Sequence, residues 1–87
     1  MYFYLIYIFL LWIGKIKISY KYIDESDPER QFYILIGVNE QMKYEVNNTV
    51  PTLSTISILV DKLNQNNNFS LFVQNVRRAF IELVNQA

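Results

Sequence analysis

The sequence predicts an α+β fold, in which a three-stranded antiparallel β-meander precedes two helices that pack on one face of the sheet. Three observations lead to this prediction. Apolar and polar residues alternate strictly after Gly14, which is typical of a half-buried strand. Two more strand-like runs follow between residues 30 and 46, joined by a link short enough for a hairpin. From residue 69 to residue 84, apolar residues recur with a helical period of about 3.6 residues.

The first strand is predicted at residues 15–22. Every second residue there is a large apolar or aromatic one, whereas the positions between them carry lysines and a serine. Because side chains alternate between the two faces of a strand, one face packs on the core and the other meets solvent. The residues predicted to face the core are Ile16, Ile18, Tyr20 and Tyr22.

The segment IDESDPER, residues 23–30, gathers acidic residues around Pro28. Proline and aspartate favour turns, so the segment predicts a solvated turn after the first strand. A calcium loop is the alternative interpretation, but such a loop needs about 12 residues and a glycine, which this segment lacks. We therefore assign no metal to it.

The second and third strands are predicted in RQFYILIGVN and QMKYEV. The second is apolar on both faces, as expected for the middle strand of a meander. In the third, Met42, Tyr44 and Val46 are predicted to point inward, with Lys43 and Glu45 outward. The order of the three strands therefore agrees with a simple meander.

The first helix is predicted in TLSTISILVDKLN, because Pro51 ends the strand pattern and apolar residues then follow at helical spacing. These residues are Leu53, Ile56, Val60 and Leu63. Thr52 and Ser54 are the candidate N-caps. The segment is also rich in β-branched residues, so a strand remains the alternative, although we favour the helix. The NQNNN segment that follows is predicted to be a polar loop.

The second helix is predicted in NFSLFVQNVRRAFIELVNQ, with Asn68 or Ser70 as its cap. Its apolar residues form one stripe on a helical wheel: Phe69, Phe72, Val73, Val76, Phe80, Leu83 and Val84. Leu71 and Ile81 fall off this stripe, so we expect that they do not face the sheet.

The residue types that are missing limit the chemistry. The sequence contains no cysteine and no histidine, which excludes thiol catalysis, disulfides and Cys/His zinc sites. Its two glycines are far apart, so there is no glycine-rich phosphate loop. With 8 basic and 8 acidic residues the formal net charge is zero, and no strong field attracts nucleic acid. An enzyme built from Asp, Glu, Lys and Tyr alone stays open, although nothing in the sequence argues for one. We expect no enzyme, no cofactor, no small-molecule ligand and no direct nucleic-acid partner.

The opening run MYFYLIYIFLLWI, residues 1–13, is predicted to lie outside the domain, which covers residues 14–87. As a helix the run would be ~20 Å long, short of the ~30 Å bilayer core. As a signal peptide it lacks a basic start and a small-residue cleavage site. Two interpretations stay open: an anchor that makes the chain a small membrane-tethered α+β interaction protein, and translated non-coding sequence.

Some apolar residues remain after the core has been assigned. Tyr33 and Leu35 lie on the open face of the sheet, and Leu71 and Ile81 lie off the helical stripe. Arg77 lies at the stripe edge, where it could reach a carboxylate of a partner. A small domain with such residues left over is typical of an interaction module. Tyr33, Leu35, Leu71, Arg77 and Ile81 are our candidate partner-binding residues; we assign none to catalysis, cofactors or metals.

Several segments occur in an order that resembles a known family. They are the turn at Ile23, Asp24, Asp27 and Pro28, the Tyr44-Glu45-Val46 strand, the Pro51 break and the ending NNNFSLFVQNVRRAF. Over Lys15 to Gln86 the chain resembles the C-terminal globular head of the spindle pole component twenty-five family. That family is a subunit of the outer-kinetochore complex named for the nuclear division cycle.

The resemblance implies an RWD-like α+β fold and a structural role without catalysis or cofactor. Heads of this family form a heterodimer with the head of the sister subunit, spindle pole component twenty-four. The paired heads dock onto inner-kinetochore receptors, either the Mis-type complex or the tail of centromere protein T, and so tether a microtubule-gripping rod to the centromere. The implied location is the nucleus, at the centromere of the chromosome. Family members also carry a long coiled coil before the head, whereas no apolar heptads precede Lys15 here.

Overall fold

The computed structural model describes residues 6–10 and 15–86, which form a four-stranded antiparallel sheet and two helices. The sheet has the strand order β1-β2-β3-β4. Its strands are β1 (Ile6–Leu10), β2 (Ile16–Tyr20), β3 (Phe32–Val38) and β4 (Tyr44–Val50), and the helices are α1 (Ile56–Asn66) and α2 (Phe69–Asn85). The predicted RWD-like order of a three-stranded meander and two helices is confirmed by β2 to β4, α1 and α2.

Strand β1 comes from the opening run of the sequence. Its backbone pairs antiparallel with β2, with the Cα atoms of Ile8 and Ile18 opposite each other. Residues 1–5, 11–14 and 87 lie outside the described residues. The boundary that we placed between the run and the domain at residue 13 stays a prediction.

The core lies between one face of the sheet and the two helices. Strands β2 and β3 contribute alternate residues to it, as expected for strands with one face packed. The buried apolar residues are Ile18, Tyr20, Ile23, Phe32, Ile34, Ile36, Leu53, Leu63, Phe72, Val76 and Phe80. At its centre the ring of Phe80 lies edge-on to the rings of Tyr20 and Phe32, with centroids 5.7 Å and 5.3 Å away.

Two residues predicted to face the core are exposed, because their strands are shorter at these ends than predicted. Tyr22 is 43% exposed with a positive φ of 63°, since β2 ends at Tyr20. Met42 is 83% exposed with φ of 64°. It lies in the β3–β4 turn, where the Asn39 side chain accepts hydrogen bonds from the backbone N–H groups of residues 41 and 43. The predictions for Tyr22 and Met42 are therefore wrong.

Strand β4 extends further than predicted, to Val50, and contains a bulge. Val46 lies opposite Ile36 and Asn48 lies opposite Leu35, so the residue between them has no partner in β3. The extra residue returns Thr49 to the core side, where its hydroxyl oxygen accepts the N–H of Leu53 at 2.9 Å. Tyr44 and Val46 pack against the core as predicted.

The segment rich in β-branched residues is a helix, as favoured. A strand would bury Ile58 together with Ile56 and Val60, but Ile58 is 63% exposed. The predicted caps are wrong: the helix begins after Thr55, whose own side chain makes no capping hydrogen bond. Part of the predicted NQNNN loop belongs to α1, which continues to Asn66.

Helix α2 agrees closely with its prediction. Asn68, one of the two candidate caps, accepts the N–H of Leu71 at 3.0 Å. All seven residues of the predicted stripe belong to the core or pack against it. The expectation for Ile81 is wrong, because its side chain is half-buried and also packs against the core. Leu71 is exposed, as expected.

Candidate partner-binding surfaces

The first candidate surface is the face of the sheet opposite the helices, which we call the open sheet face. Among the described residues, both helices pack on the side of Ile18 and Ile34, and neither covers the other side. Tyr33 and Leu35 of β3 alternate with those core residues and are half-buried on the open sheet face. The structure thus brings these two predicted residues together on one surface.

Charged side chains lie beside the two apolar ones on the open sheet face. The Nζ atom of Lys17 lies 4.4 Å from the centre of the Tyr33 ring, within the range of a cation–π contact. Lys17 is also paired with Leu35 in the β2–β3 register. On β4, Glu45 lies opposite Gly37, so the face carries both signs of charge around its apolar centre. Such a mixture is common at interfaces between proteins that also exist apart.

The second candidate surface is a groove between α2 and the turn that follows β2, which we call the helix–turn groove. Its volume is about 350 Å³. Arg77 and Ile81 lie one helical turn apart on α2 and line one wall, so the structure also brings these two predicted residues together. Asp24 and Glu25 line the opposite wall.

The turn that lines this groove is built around Asp24. One carboxylate oxygen accepts the hydroxyl of Ser26 at 2.6 Å and its backbone N–H at 3.0 Å. The other oxygen accepts an N–H of the Arg30 guanidinium at 3.2 Å. The Ser26 hydroxyl is the largest cause that lowers the pKa of Asp24; partial burial opposes it, and the Ser26 N–H and Arg30 add to it. Asp24 is therefore ionised at neutral pH, where its carboxylate pairs with Arg30 at the wall of the groove.

Leu71 lies apart from both surfaces. It is 39% exposed at the start of α2, ten residues before Ile81. At about 1.5 Å of rise per residue this separates the two by roughly 15 Å along the helix. The structure therefore does not combine Leu71 and Ile81 into one surface.

A third surface was missed from the sequence. It is a groove of about 280 Å³ between the outer sides of α1 and α2. Ile58, Leu59 and Ala79 contribute apolar area, and Lys62, Arg78 and Glu82 contribute charges. The helical stripe of α1 leaves Ile58 on its far side, so a wheel of that helix alone could have indicated this surface.

Two kinds of site are absent from the part of the chain that the structure describes. Within it, no group of three or more acidic side chains is placed to hold a metal ion. None of its helices is both long enough and apolar enough to cross a membrane.

Comparison with known families identifies the family to which this chain belongs. A sequence profile of the family described as chromosome segregation protein Spc25 matches residues 13–81. This range includes β2, β3, β4, α1 and most of α2. The chain belongs to this family. The resemblance seen in the sequence is thereby confirmed.

Curated relatives agree with the family match. Kinetochore protein Spc25 of Bos taurus is 39% identical over 70 residues, which are 80% of this chain and 31% of the relative. The mouse protein of the same name is 34% identical over 71 residues, 82% of this chain and 31% of its own length. The human one is 34% identical over 70 residues. The Spc25-family chain thus matches about a third of the length of these relatives.

The names of the family and of these relatives indicate a coarse role. The family is described as a chromosome segregation protein, and the relatives are named kinetochore proteins.

Proposed function

We propose that this Spc25-family chain is a kinetochore head that forms a heterodimer with the head of the sister subunit, spindle pole component twenty-four. The paired heads dock the microtubule-binding complex onto an inner-kinetochore receptor. The role is structural and uses no catalysis and no cofactor. The observation that carries the proposal is the open sheet face, where Tyr33 and Leu35 remain outside a core that is already complete on the other side.

The open sheet face is the proposed contact with the sister head. Burial of apolar area drives the association, and only the part that exceeds the cost of lost freedom on binding appears as affinity. Leu35 contributes such area without a polar group, and Tyr33 adds a ring already held by Lys17. Lys17 and Glu45 lie around this centre and would set the register through charge, as rim residues do at interfaces.

The helix–turn groove is the proposed contact with the receptor. It is separate from the open sheet face, because Arg77 and Ile81 belong to α2, which packs on the other side of the sheet. A head with two separate surfaces can hold the sister head and the receptor at the same time. Arg77 lines the groove, where its guanidinium could pair with a carboxylate of the receptor.

Charge variants test the sister contact. Leu35→Glu places a carboxylate at the centre of the open sheet face, whereas Ile58→Glu places the same group on the exposed outer side of α1. We expect Leu35→Glu to weaken binding to the sister head at least about 10-fold and Ile58→Glu to change it little, because central apolar residues dominate interface energies. Isothermal titration calorimetry gives the affinities, and circular dichroism checks that both variants are folded. If Ile58→Glu alone weakened binding to the sister head, the contact would instead lie at the groove between the outer sides of α1 and α2.

A neighbouring pair of arginines tests the receptor contact. Arg77 lines the helix–turn groove, and Arg78 is exposed on the other side of the helix. With the preformed pair of heads, Arg77→Ala should reduce binding to the receptor, and Arg78→Ala should not. Equal losses would mean that only the total charge matters and that the groove is not the docking site.

A further inference from the structure

The edge of the sheet at β4 is occupied by a side chain of α1. Asn64 uses both ends of its carboxamide on one residue: its Oδ1 accepts the backbone N–H of Tyr44 at 2.8 Å, and its Nδ2 donates to the carbonyl oxygen of Tyr44 at 3.0 Å. A carboxamide offers the same donor and acceptor as a peptide group. Asn64 therefore makes the two hydrogen bonds that a neighbouring strand would make.

The position of these bonds matters because β4 is the last strand of the sheet and pairs only with β3 among the described strands. An edge strand exposes N–H and C=O groups that can template the addition of another strand. In an antiparallel sheet every second residue directs both groups outward, so after Tyr44 the next such residue is Val46. The bulge begins directly after Val46 and distorts the remainder of the edge.

The regular part of the edge is therefore short. Asn64 forms hydrogen bonds with its first outward-facing pair of backbone groups, the N–H and C=O of Tyr44. Helix α1 holds the amide in place because the neighbouring Leu63 is buried in the core, with 1% of its surface exposed. Asn64 lies in the last turn of α1, where helix propensity does not favour asparagine, and the two bonds to Tyr44 give it a role there.

We propose that Asn64 acts as a substitute strand that closes the β4 edge to a second copy of this chain. The sequence around Tyr44 favours such self-pairing. In a two-fold antiparallel pairing centred on Tyr44, Lys43 of one copy would lie opposite Glu45 of the other, and the reverse. Opposite charges in both cross-strand pairs make a second copy the complementary occupant of this edge once the amide is removed.

The test removes the amide and keeps a matched control on the same helix. Asn64→Leu loses both hydrogen bonds, whereas Gln65→Leu changes an exposed neighbouring residue for which the structure shows no hydrogen bond. We expect faster hydrogen exchange of the Tyr44 amide in Asn64→Leu and a mass by light scattering that approaches twice that of the monomer as concentration rises. Gln65→Leu should match the wild-type chain in both measurements.

A second substitution distinguishes specific strand pairing from nonspecific association. Adding Lys43→Glu to Asn64→Leu places two carboxylates opposite each other in both pairs, so the doubled mass should disappear. If Asn64→Leu is not folded by circular dichroism, Asn64→Ala, which also loses both hydrogen bonds, carries the same comparison. Two outcomes would overturn the proposal. In the first, Asn64→Leu keeps the wild-type mass at all concentrations although the Tyr44 amide exchanges faster. In the second, its mass doubles and adding Lys43→Glu does not reverse the doubling. The chain is measured alone, so failure here leaves the pairing with the sister head untouched.

Discussion

Tyr20 brings a hydroxyl group into the core of the domain. Its side chain is fully buried, and its hydroxyl donates a hydrogen bond to the carbonyl oxygen of Val73 on α2 at 2.8 Å. A buried polar group without a partner would be costly, so this bond allows an aromatic residue with a polar end to sit between the sheet and α2. It also fixes the position of α2 along β2.

Removing this hydroxyl should destabilise the domain modestly. We expect Tyr20→Phe to lower the free energy of unfolding by about 1 kcal/mol, the usual net value of one such bond. Urea denaturation measures the change. The control is Tyr22→Phe, which removes the same atom from an exposed ring and should stay within about 0.5 kcal/mol of the wild type. Equal effects of the two substitutions would mean that the Val73 bond does not stabilise the fold.

Asp24 should make stability depend on pH in the acid range. Its pKa in the folded chain is lowered, so the stabilisation is complete above the ordinary aspartate pKa of about 3.9 and is lost as pH falls through the folded value. We therefore expect the stability difference between the wild type and Asp24→Ala to stay constant down to about pH 4 and to shrink below it, as the pH falls through the lowered pKa of Asp24 in the folded chain. Thermal unfolding measured across this range checks it. A difference that does not change with pH would contradict the role of the Ser26 and Arg30 bonds.

In the regular elements, the side to which a residue faces could be predicted better than the residue that it contacts. The alternation in β2 predicts that Tyr20 faces inward, but periodicity carries no information about which carbonyl group of α2 lies above it. Asn64 belongs to the same class: its hydrogen bonds to Tyr44 join residues 20 positions apart, and no local pattern records them. In the helix–turn groove, the helical spacing of Arg77 and Ile81 could be read from the sequence. The position of the turn opposite them could not, because it depends on the tertiary fold.

At the scale of elements, the start of α2 is fixed by one side chain. Asn68 accepts the N–H of Leu71, one of the groups that the helix itself leaves without a partner. Ser70, the other candidate cap, already lies inside the helix. The helix that carries Phe72, Val76 and Phe80 into the core therefore depends on Asn68 for its first turn.

The cap predicts a clear difference between two neighbouring substitutions. Asn68→Ala should lower the free energy of unfolding by about 1 kcal/mol, as loss of an N-cap usually does. Ser70→Ala removes an exposed hydroxyl without a capping bond and should stay within about 0.5 kcal/mol. Chemical denaturation of the two variants side by side measures this. A larger loss for Ser70→Ala would place the helix start elsewhere.

The elements also differ in how far a sequence can predict them. Helix α2 keeps one uninterrupted period for 17 residues, so its stripe predicted the packing of all seven residues. Strand β4 does not, because the bulge inserts one residue and places Val46 and Thr49 on the same side although they are three positions apart. The predicted strand therefore stopped at Val46, where the alternation ends.

At the scale of the whole molecule, the one-sided packing of the helices on the sheet separates the open sheet face from the helix–turn groove. The open sheet face carries Tyr33 and Leu35, and the helix–turn groove carries Arg77 and Ile81. The fold class could be predicted from residue patterns, and the family from the resemblance of several segments in order. Which surface meets which partner could not, because exposure depends on how all elements pack together and on a second protein.

Pairing with the sister head is the central claim, and the mass of the mixed heads tests it most directly. The chain and the head of spindle pole component twenty-four are co-expressed, purified and measured by size-exclusion chromatography with light scattering. We expect one peak with the mass of a 1:1 complex that persists on dilution. Two separate peaks, each with the mass of a folded monomer, would contradict the claim.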